Sequence, residues 1–160
     1  MDTLVEILIN QYGNLEGLFF LSMMPLIELK GAIPIGMGLG IDPMELFFIT
    51  YIGSMMPPVF LIPIIGPLFA LLRKNAQLKK VIHYFEEKAM EKGREIHHLG
   101  IFGLFFLVAI PLPGTGVWTG SLVAGLLGLR LKTALPIIAL GNLCAGLLLF
   151  LFSHGVINMI

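Results

Sequence analysis

Charge and cysteine are both scarce in this chain. Only 12% of its 160 residues are charged, and ten lysines and arginines balance ten aspartates and glutamates. Without net positive charge there is no electrostatic reason to expect a nucleic-acid partner. The single cysteine, Cys144, excludes an internal disulfide framework, and its place inside an apolar stretch indicates a small packing residue.

Sequence patterns that mark common catalytic and metal sites are missing as well. The histidines at 83, 97, 98 and 154 lack the spacing with cysteines or acids that a zinc site requires. No nucleophile elbow or phosphate loop occurs, and GMGLG at 36–40 lacks the last glycine and the preceding strand of a dinucleotide fingerprint. We therefore expect no catalytic residue, no cofactor and no metal.

Apolar residues, in contrast, dominate the chain. They make up 57% of it, and the mean hydropathy is +0.94, which is outside the range of soluble domains. The long apolar stretches cover residues 17–40, 44–72, 99–129 and 133–153. Each has the roughly 20 residues that a helix needs to cross a hydrocarbon layer about 30 Å thick. We therefore predict an all-α integral protein of the cytoplasmic membrane with several passes.

The two halves of the chain resemble each other. LFF at 18–20 recurs at 104–106, and prolines and glycines then recur 88 positions apart. The matched pairs are Pro25 and Pro113, Ala32 and Gly120, Gly36 and Ala124, Gly40 and Gly128, and Gly53 and Gly141. Small residues spaced by four share one helix face, where they permit close helix packing in lipid. The pattern predicts an internal repeat, although a glycine-rich membrane chain can also produce such matches by chance.

Proline interrupts the first apolar stretch of each half. The breaks are expected around Pro25, Gly31 and Pro34 in one half and in PLPGTG at 111–116 in the other. The arms then have about 10–12 residues and reach only about half of the bilayer. Each repeat, 16–72 and 99–160, is thus predicted to be a re-entrant hairpin followed by one spanning helix, within a single membrane domain of residues 1–160.

The basic residues distinguish this arrangement from one in which every apolar stretch spans. Seven of the ten lie in residues 73–98, so this linker is predicted to be cytoplasmic. With hairpins, Arg130 and Lys132 are also cytoplasmic, whereas the acidic turn IDPME at 41–45 is outside. If all four stretches spanned, Arg130 and Lys132 would be outside. The charges favour two inverted repeats with both termini outside.

Two further segments are predicted to be surface helices. The linker has apolar residues at 78, 82, 85 and 89 among charges, which is typical of an amphipathic helix. The first ten residues carry Asp2 and Glu6 and lack the positive start of a secretory signal. We interpret residues 1–15 as a short interfacial helix.

Glu28 and Lys30 are the candidate substrate or proton site in the first hairpin, beside Pro34. A charge at the bilayer centre costs at least about 2.5–3.5 kcal/mol, so such residues are usually paired or face an aqueous path. Burial favours a neutral carboxyl group and a cation such as Lys30 or Arg130 favours a charged one, so Glu28 is a candidate for proton exchange. The alternative is a buried ion pair that only holds the hairpin.

The second hairpin supplies the facing candidate site in PLPGTGVWTG at 111–120. Its glycines leave backbone amides accessible, and a helix that starts after the break directs its positive dipole end toward the midplane. An anionic group can be held there, but the same residues can simply cap broken helices, and the tryptophan can be a packing aromatic. The candidate binding residues here are Pro111, Pro113, Gly114, Thr115, Gly116, Trp118, Thr119 and, further along, Arg130.

ELKGAIPIGMGLG at 28–40 together with AIPLPGTGVWTG at 109–120 resembles the small multidrug export protein family of prokaryotic membranes. That family is similar in turn to the DedA proteins, which implies two facing re-entrant hairpins and ion-coupled movement of lipid phosphates. The chain departs from the DedA pattern because PLPGTG stands where arginines are expected.

The resemblance implies a DedA-like transporter, with possible proton coupling, of a lipid phosphate or an amphipathic small molecule. Membrane lipids and the substrate are the expected partners, and the small-residue stripes make a homodimer plausible. The alternatives are a noncatalytic membrane scaffold and a membrane enzyme that acts on lipids.

Overall fold

The structure is all-helical throughout the part of the chain that it covers. The computed structural model describes residues 2–72, 83–84, 87, 101–112 and 114–157, and these contain no strand. The predicted linker helix at 73–98 lies almost entirely outside the described residues. The helices are α1 (Asp2–Tyr12), α2 (Asn14–Met23), α3 (Glu28–Gly38), α4 (Pro43–Leu72), α5 (Ile101–Ala109), α6 (Val117–Leu126) and α7 (Leu131–Ile157).

Two of these helices are long and apolar enough to cross a membrane. Helix α4 has 30 residues, and the apolar part of α7 runs from Leu131 to Phe152. Helix α4 begins one residue before the apolar stretch at 44–72, and α7 begins two residues before the stretch at 133–153. The start of α4 is set by Asp42, whose carboxylate accepts hydrogen bonds from the amides of Met44 and Glu45 at 3.0 and 3.1 Å. Pro43 at the first helical position needs no amide partner there.

In the first hairpin the helix is interrupted only before α3 begins at Glu28, whereas the proline pattern predicted interruptions as far as Pro34. Helix α2 ends at Met23, and Met24 is extended, with ψ 141°, because the following Pro25 disfavours helical backbone in the residue before it. The prediction was wrong for Gly31 and Pro34, which lie inside α3. Pro34 is the seventh residue of α3, and the helix continues through it to Gly38 although proline supplies no amide donor there.

The second hairpin breaks where it was predicted, between Ala109 and Val117. Its loop is held by its own backbone, since the amides of Thr115 and Gly116 donate to the carbonyls of Leu112 and Leu107, each at 3.2 Å. The arms of the two hairpins have 10 and 11 residues, then 9 and 10. At 1.5 Å per residue each arm is about 14–17 Å long, near half of the bilayer core.

The second arms of both hairpins end in the same motif. The amides of Gly40 and Ile41 donate to the carbonyls of Met37 and Gly36, and the same pairs recur 88 residues later at Gly128 and Leu129. This is a Schellman motif, which places its glycine in the left-handed region, here at φ 73° and 67°. Neither glycine has an atom within 4 Å of its would-be Cβ. Gly40 and Gly128 therefore serve the turns, not the packing stripe to which the sequence pattern assigned them.

Other members of the stripe are packed closely. A Cβ on Gly36 would collide with Leu46 and lie 3.0 Å from Leu18, and one on Gly120 would lie 2.6 Å from Val108. These contacts join α3 to α2 and α4, and α6 to α5. They support the expectation that small residues allow close helix approach in an apolar environment.

A second pair of glycines contacts backbone. A Cβ on Gly53 of α4 would lie 2.6 Å from the carbonyl oxygen of Phe19, and one on Gly141 of α7 would lie 2.9 Å from that of Phe105. The glycines are 88 residues apart, and the phenylalanines are the matching members of the two LFF runs. The same helix crossing therefore occurs in both halves of the chain.

The chain divides into two compact units. The first unit contains residues 1–56 and 142–160, and the second contains 57–141. In the first unit, α1 packs on α2, and Val5 and Leu8 cover the buried side chains of Leu18 and Leu21. The interfacial position of α1 stays a prediction. In the second unit, Gly125 of α6 approaches the carbonyl oxygen of Ile62 in α4.

Candidate functional site

Glu28 places a buried carboxylate at the break of the first hairpin. Its side chain is 6% exposed, and one of its oxygens lies 3.8 Å from the Lys30 ammonium nitrogen. That distance is an ion pair and is longer than a hydrogen bond. A buried carboxylate is stable only where charges or hydrogen bonds compensate its desolvation. The predicted Glu28–Lys30 pair is thus present, in the first turn of α3.

The backbone at Glu28 is unusual for a residue with a side chain. Among the described residues it is the single non-glycine with positive φ, at 49°. Left-handed backbone costs an L-residue about 1–3 kcal/mol, and such strain is concentrated at functional sites. The residue 88 positions later is Gly116, also at positive φ, 125°. The first hairpin therefore has a glutamate at a position that the second fills with glycine.

Apolar packing holds this turn in place. Leu29 and Ile33 of α3 are fully buried and form a cluster with Phe47 of α4. Gly146 of α7 lets this cluster approach, because its would-be Cβ lies 2.9 Å from Phe47 and 3.2 Å from Leu29. Since α3, α4 and α7 all contribute, the position of Glu28 depends on both spanning helices.

The threonines of the second loop are bonded to the loop itself. The Thr115 hydroxyl lies 2.8 Å from the carbonyl oxygens of Ile110 and Leu112, to which it can donate, and it accepts from the Leu112 amide at 3.2 Å. The Thr119 hydroxyl donates to the carbonyl oxygen of Gly114 at 3.1 Å. These bonds tie both threonines to the backbone of residues 110–114. Gly116 caps α6 without a side-chain hydrogen bond.

The remaining predicted residues are placed as follows. Pro34 is exposed on α3, Pro111 and Trp118 are half-buried, and Pro113 lies outside the described residues. Arg130 is exposed just before α7, and its carbonyl oxygen accepts from the amides of Thr133 and Ala134. Glu28, Lys30 and Pro34 belong to the first unit, and the predicted residues of the second loop belong to the second unit. Within these sets, the geometry brings Glu28 and Lys30 together as a charged pair.

Sequence reasoning missed a set of buried polar residues in the first unit. They are Ser22, Thr50, Ser54 and Asn142, each no more than 3% exposed. The 88-residue repeat could have pointed to two of them. Ser54 and Asn142 directly follow the matched glycines Gly53 and Gly141, so they occupy equivalent positions in the two halves. No group of three or more histidine, cysteine, aspartate or glutamate residues that could hold a metal occurs in the described part of the chain.

Comparison with known proteins gives one family. The model of a family described as "Putative small multi-drug export protein" matches residues 28–148. The matched range begins at Glu28 and includes α3, α4, the loop of the second hairpin and most of α7. Curated proteins and solved structures give no significant match.

Proposed function

This chain belongs to the small multi-drug export protein family, and we propose that it is a proton-coupled membrane transporter of an amphipathic molecule with an anionic headgroup. Membership indicates a membrane exporter that works among lipids and on a small molecule. Two helices long enough to span agree with a membrane location. The finer parts of the proposal are a DedA-like arrangement of inverted repeats with re-entrant hairpins, coupling to protons, and an anionic substrate such as a lipid phosphate.

The repeated local structure supports the inverted arrangement. Schellman motifs and glycine–backbone crossings recur at matching positions, so both halves fold by the same local rules. Each half has two short arms and one long helix. Two short arms that enter the membrane and return leave the chain on the same side, and one long helix crosses once, so the second copy starts on the opposite side.

Single cysteines at Met44 and Lys132 test the inversion. These positions are 88 residues apart at the starts of α4 and α7, and both are exposed. In a cysteine-free background with Cys144 replaced by serine, Met44→Cys should react with an impermeant maleimide from outside and Lys132→Cys only from the cytoplasmic side. Reaction of both from the same face would exclude inverted repeats.

The observation that carries the function is the buried Glu28–Lys30 pair on strained backbone. Protonation of the Glu28 carboxylate removes the negative charge that faces the Lys30 ammonium. Lys30 then attracts an anionic headgroup more strongly, so binding of a proton and of an anion favour each other. Reciprocal coupling between two ligands at one site is the thermodynamic basis of proton-coupled transport.

Flux into proteoliposomes tests this proposal. Wild-type protein should move a short-chain prenyl phosphate at a rate that changes with pH, while Glu28→Gln should insert and fold but give a pH-independent rate. Lys30→Ala should weaken binding of the prenyl phosphate about tenfold, which corresponds to about 1.4 kcal/mol. Glu16→Gln, which neutralises an exposed carboxylate on α2, is the matched control and should behave as wild type.

Three results would count against the proposal. An unchanged pH profile in Glu28→Gln would exclude this residue as the coupling site. Flux of a lipophilic organic cation but not of the phosphate would overturn the anionic substrate. No flux of either probe, with normal folding, would favour the noncatalytic scaffold.

A further inference from the structure

Ser54 and Asn142 form a buried polar contact between the two long helices within the first unit. The Asn142 side-chain amide donates to the Ser54 hydroxyl oxygen at 2.7 Å, and that hydroxyl donates to the carbonyl oxygen of Tyr51 at 2.9 Å. Ser54 is 1% exposed and Asn142 is 3% exposed. Polar side chains are costly inside an apolar helix pair, so they usually mark helix association or an ion path.

Carbonyl oxygens beside this contact lack their normal helical donors. In α4 the carbonyls of Gly53 and Ser54 would accept from the amides of residues 57 and 58, but both of these are prolines. Two neighbouring carbonyl oxygens next to the buried Ser54 hydroxyl are therefore deprived of the i+4 bond. In an apolar layer such oxygens are satisfied by a local change of helical bonding, by side chains, by water or by an ion.

The register adds a geometric argument. Ser54 and Asn142 are 88 residues apart, the separation at which both Schellman motifs and both glycine crossings recur. In two repeats related by a two-fold axis, a residue can touch its own counterpart only close to that axis. Transporters with inverted repeats bind their coupling ions at the repeat interface near the midplane, through broken-helix carbonyls.

We propose that Ser54, Asn142 and the carbonyl oxygens of Gly53 and Ser54 bind a monovalent cation, with sodium as the best fit. All four contribute neutral oxygens, because the Asn142 amide can present its oxygen in place of its nitrogen by rotating about the last side-chain bond. No carboxylate takes part in the contact, and a divalent ion normally requires one. A role of this cation in driving transport, in addition to the proton at Glu28, rests on the transport function proposed above. Binding of the cation does not depend on that function.

Thermal unfolding of the purified protein in detergent tests the binding directly. Sodium, potassium and N-methylglucamine chloride are compared at equal ionic strength. Sodium should raise the Tm saturably, on the order of 5 °C at saturation, and N-methylglucamine should not. An equal rise with all three salts, or no rise with any, would overturn the site. Because no flux is measured, failure here is separate from failure of the transport proposal.

Proline variants locate the site. Pro57→Ala and Pro58→Ala restore amide donors to the carbonyls of Gly53 and Ser54, so each should shift the sodium concentration for half-maximal effect upward about tenfold. Pro63→Ala restores a donor elsewhere in α4 and should leave that concentration unchanged. Equal shifts in all three proline variants would mean a general effect on the helix and would refute the assignment.

Asn142 variants provide a second measure. Asn142→Leu should abolish the sodium effect and Asn142→Asp should keep it, whereas Ser121→Ala, which removes a buried hydroxyl from α6 in the second unit, should not alter it. A sodium effect retained in Asn142→Leu would refute the site. If Asn142→Leu does not fold, the sodium dependence of the Tm in the proline variants and in Asn142→Asp tests the site instead.

Discussion

Replacing Gly53 with leucine is expected to abolish folding of the first unit. The Cβ of the new side chain would lie 2.6 Å from the carbonyl oxygen of Phe19, and it would also collide with the Ser22 hydroxyl. A backbone atom of α2 cannot move aside as the end of a side chain can. We expect a loss of at least about 3 kcal/mol, at the upper end of the cost of overpacking. Size-exclusion profiles and the Tm in detergent measure it.

Gly141→Leu is the counterpart in the second unit and should behave alike, since its Cβ would lie 2.9 Å from the carbonyl oxygen of Phe105. Gly38→Leu is the control, because nothing lies within 4 Å of its would-be Cβ on α3. It should fold with a Tm close to that of wild type. Normal folding of Gly53→Leu and Gly141→Leu would show that these crossings are not tight, and the repeated contact would lose its structural meaning.

Replacing Glu28 with glycine should separate stability from function. Glycine adopts φ 49° without a steric penalty, so Glu28→Gly should be more stable than Glu28→Ala by about 1 kcal/mol. Both variants lack the carboxylate, and both should lose pH-dependent flux of the prenyl phosphate. Thermal unfolding and proteoliposome flux, measured on the same preparations, give the two quantities.

The comparison between these variants matters more than either value alone. If Glu28 served only as a structural partner of Lys30, both replacements would destabilise the hairpin. Any loss of flux would then follow the loss of stability in each variant. A Glu28→Gly protein that is stable but inactive would show that the strain is maintained for function. A protein that is stable and retains pH-dependent flux would exclude the carboxylate from coupling.

Much of the architecture could be predicted from local chemistry. PLPGTG broke its helix at the predicted place because proline and glycine act on their own backbone, whatever surrounds them. The long apolar runs predicted the starts of both long helices to within two residues. The first break was harder to predict, because α2 ends before Pro25 whereas α3 continues through Pro34, and residue type alone does not distinguish the two prolines.

The candidate site was predictable in part. Two charges in an apolar run marked Glu28 and Lys30, because burial of charge in lipid is costly wherever the chain folds. The left-handed backbone at Glu28 was not foreseeable, since nothing in the sequence states φ at a glutamate. Thr115 and Thr119 were predicted as binding or capping residues, and the hydrogen bonds of their hydroxyls to the carbonyl oxygens of residues 110–114 could not be read from the sequence.

The sequence by itself determined the apolar, membrane-protein character of the chain, its two long apolar helices, the 88-residue register and the two charges in an apolar run, since each follows from hydropathy or residue identity along the chain. Tertiary structure decided which small residues pack and which residues meet. Gly36 and Gly40 are identical in type, yet one contacts Leu46 and the other ends a helix, because packing depends on the neighbouring helix. Ser54 and Asn142 form a hydrogen bond because the fold brings α4 and α7 together at positions 88 residues apart. No local sequence pattern predicts this contact.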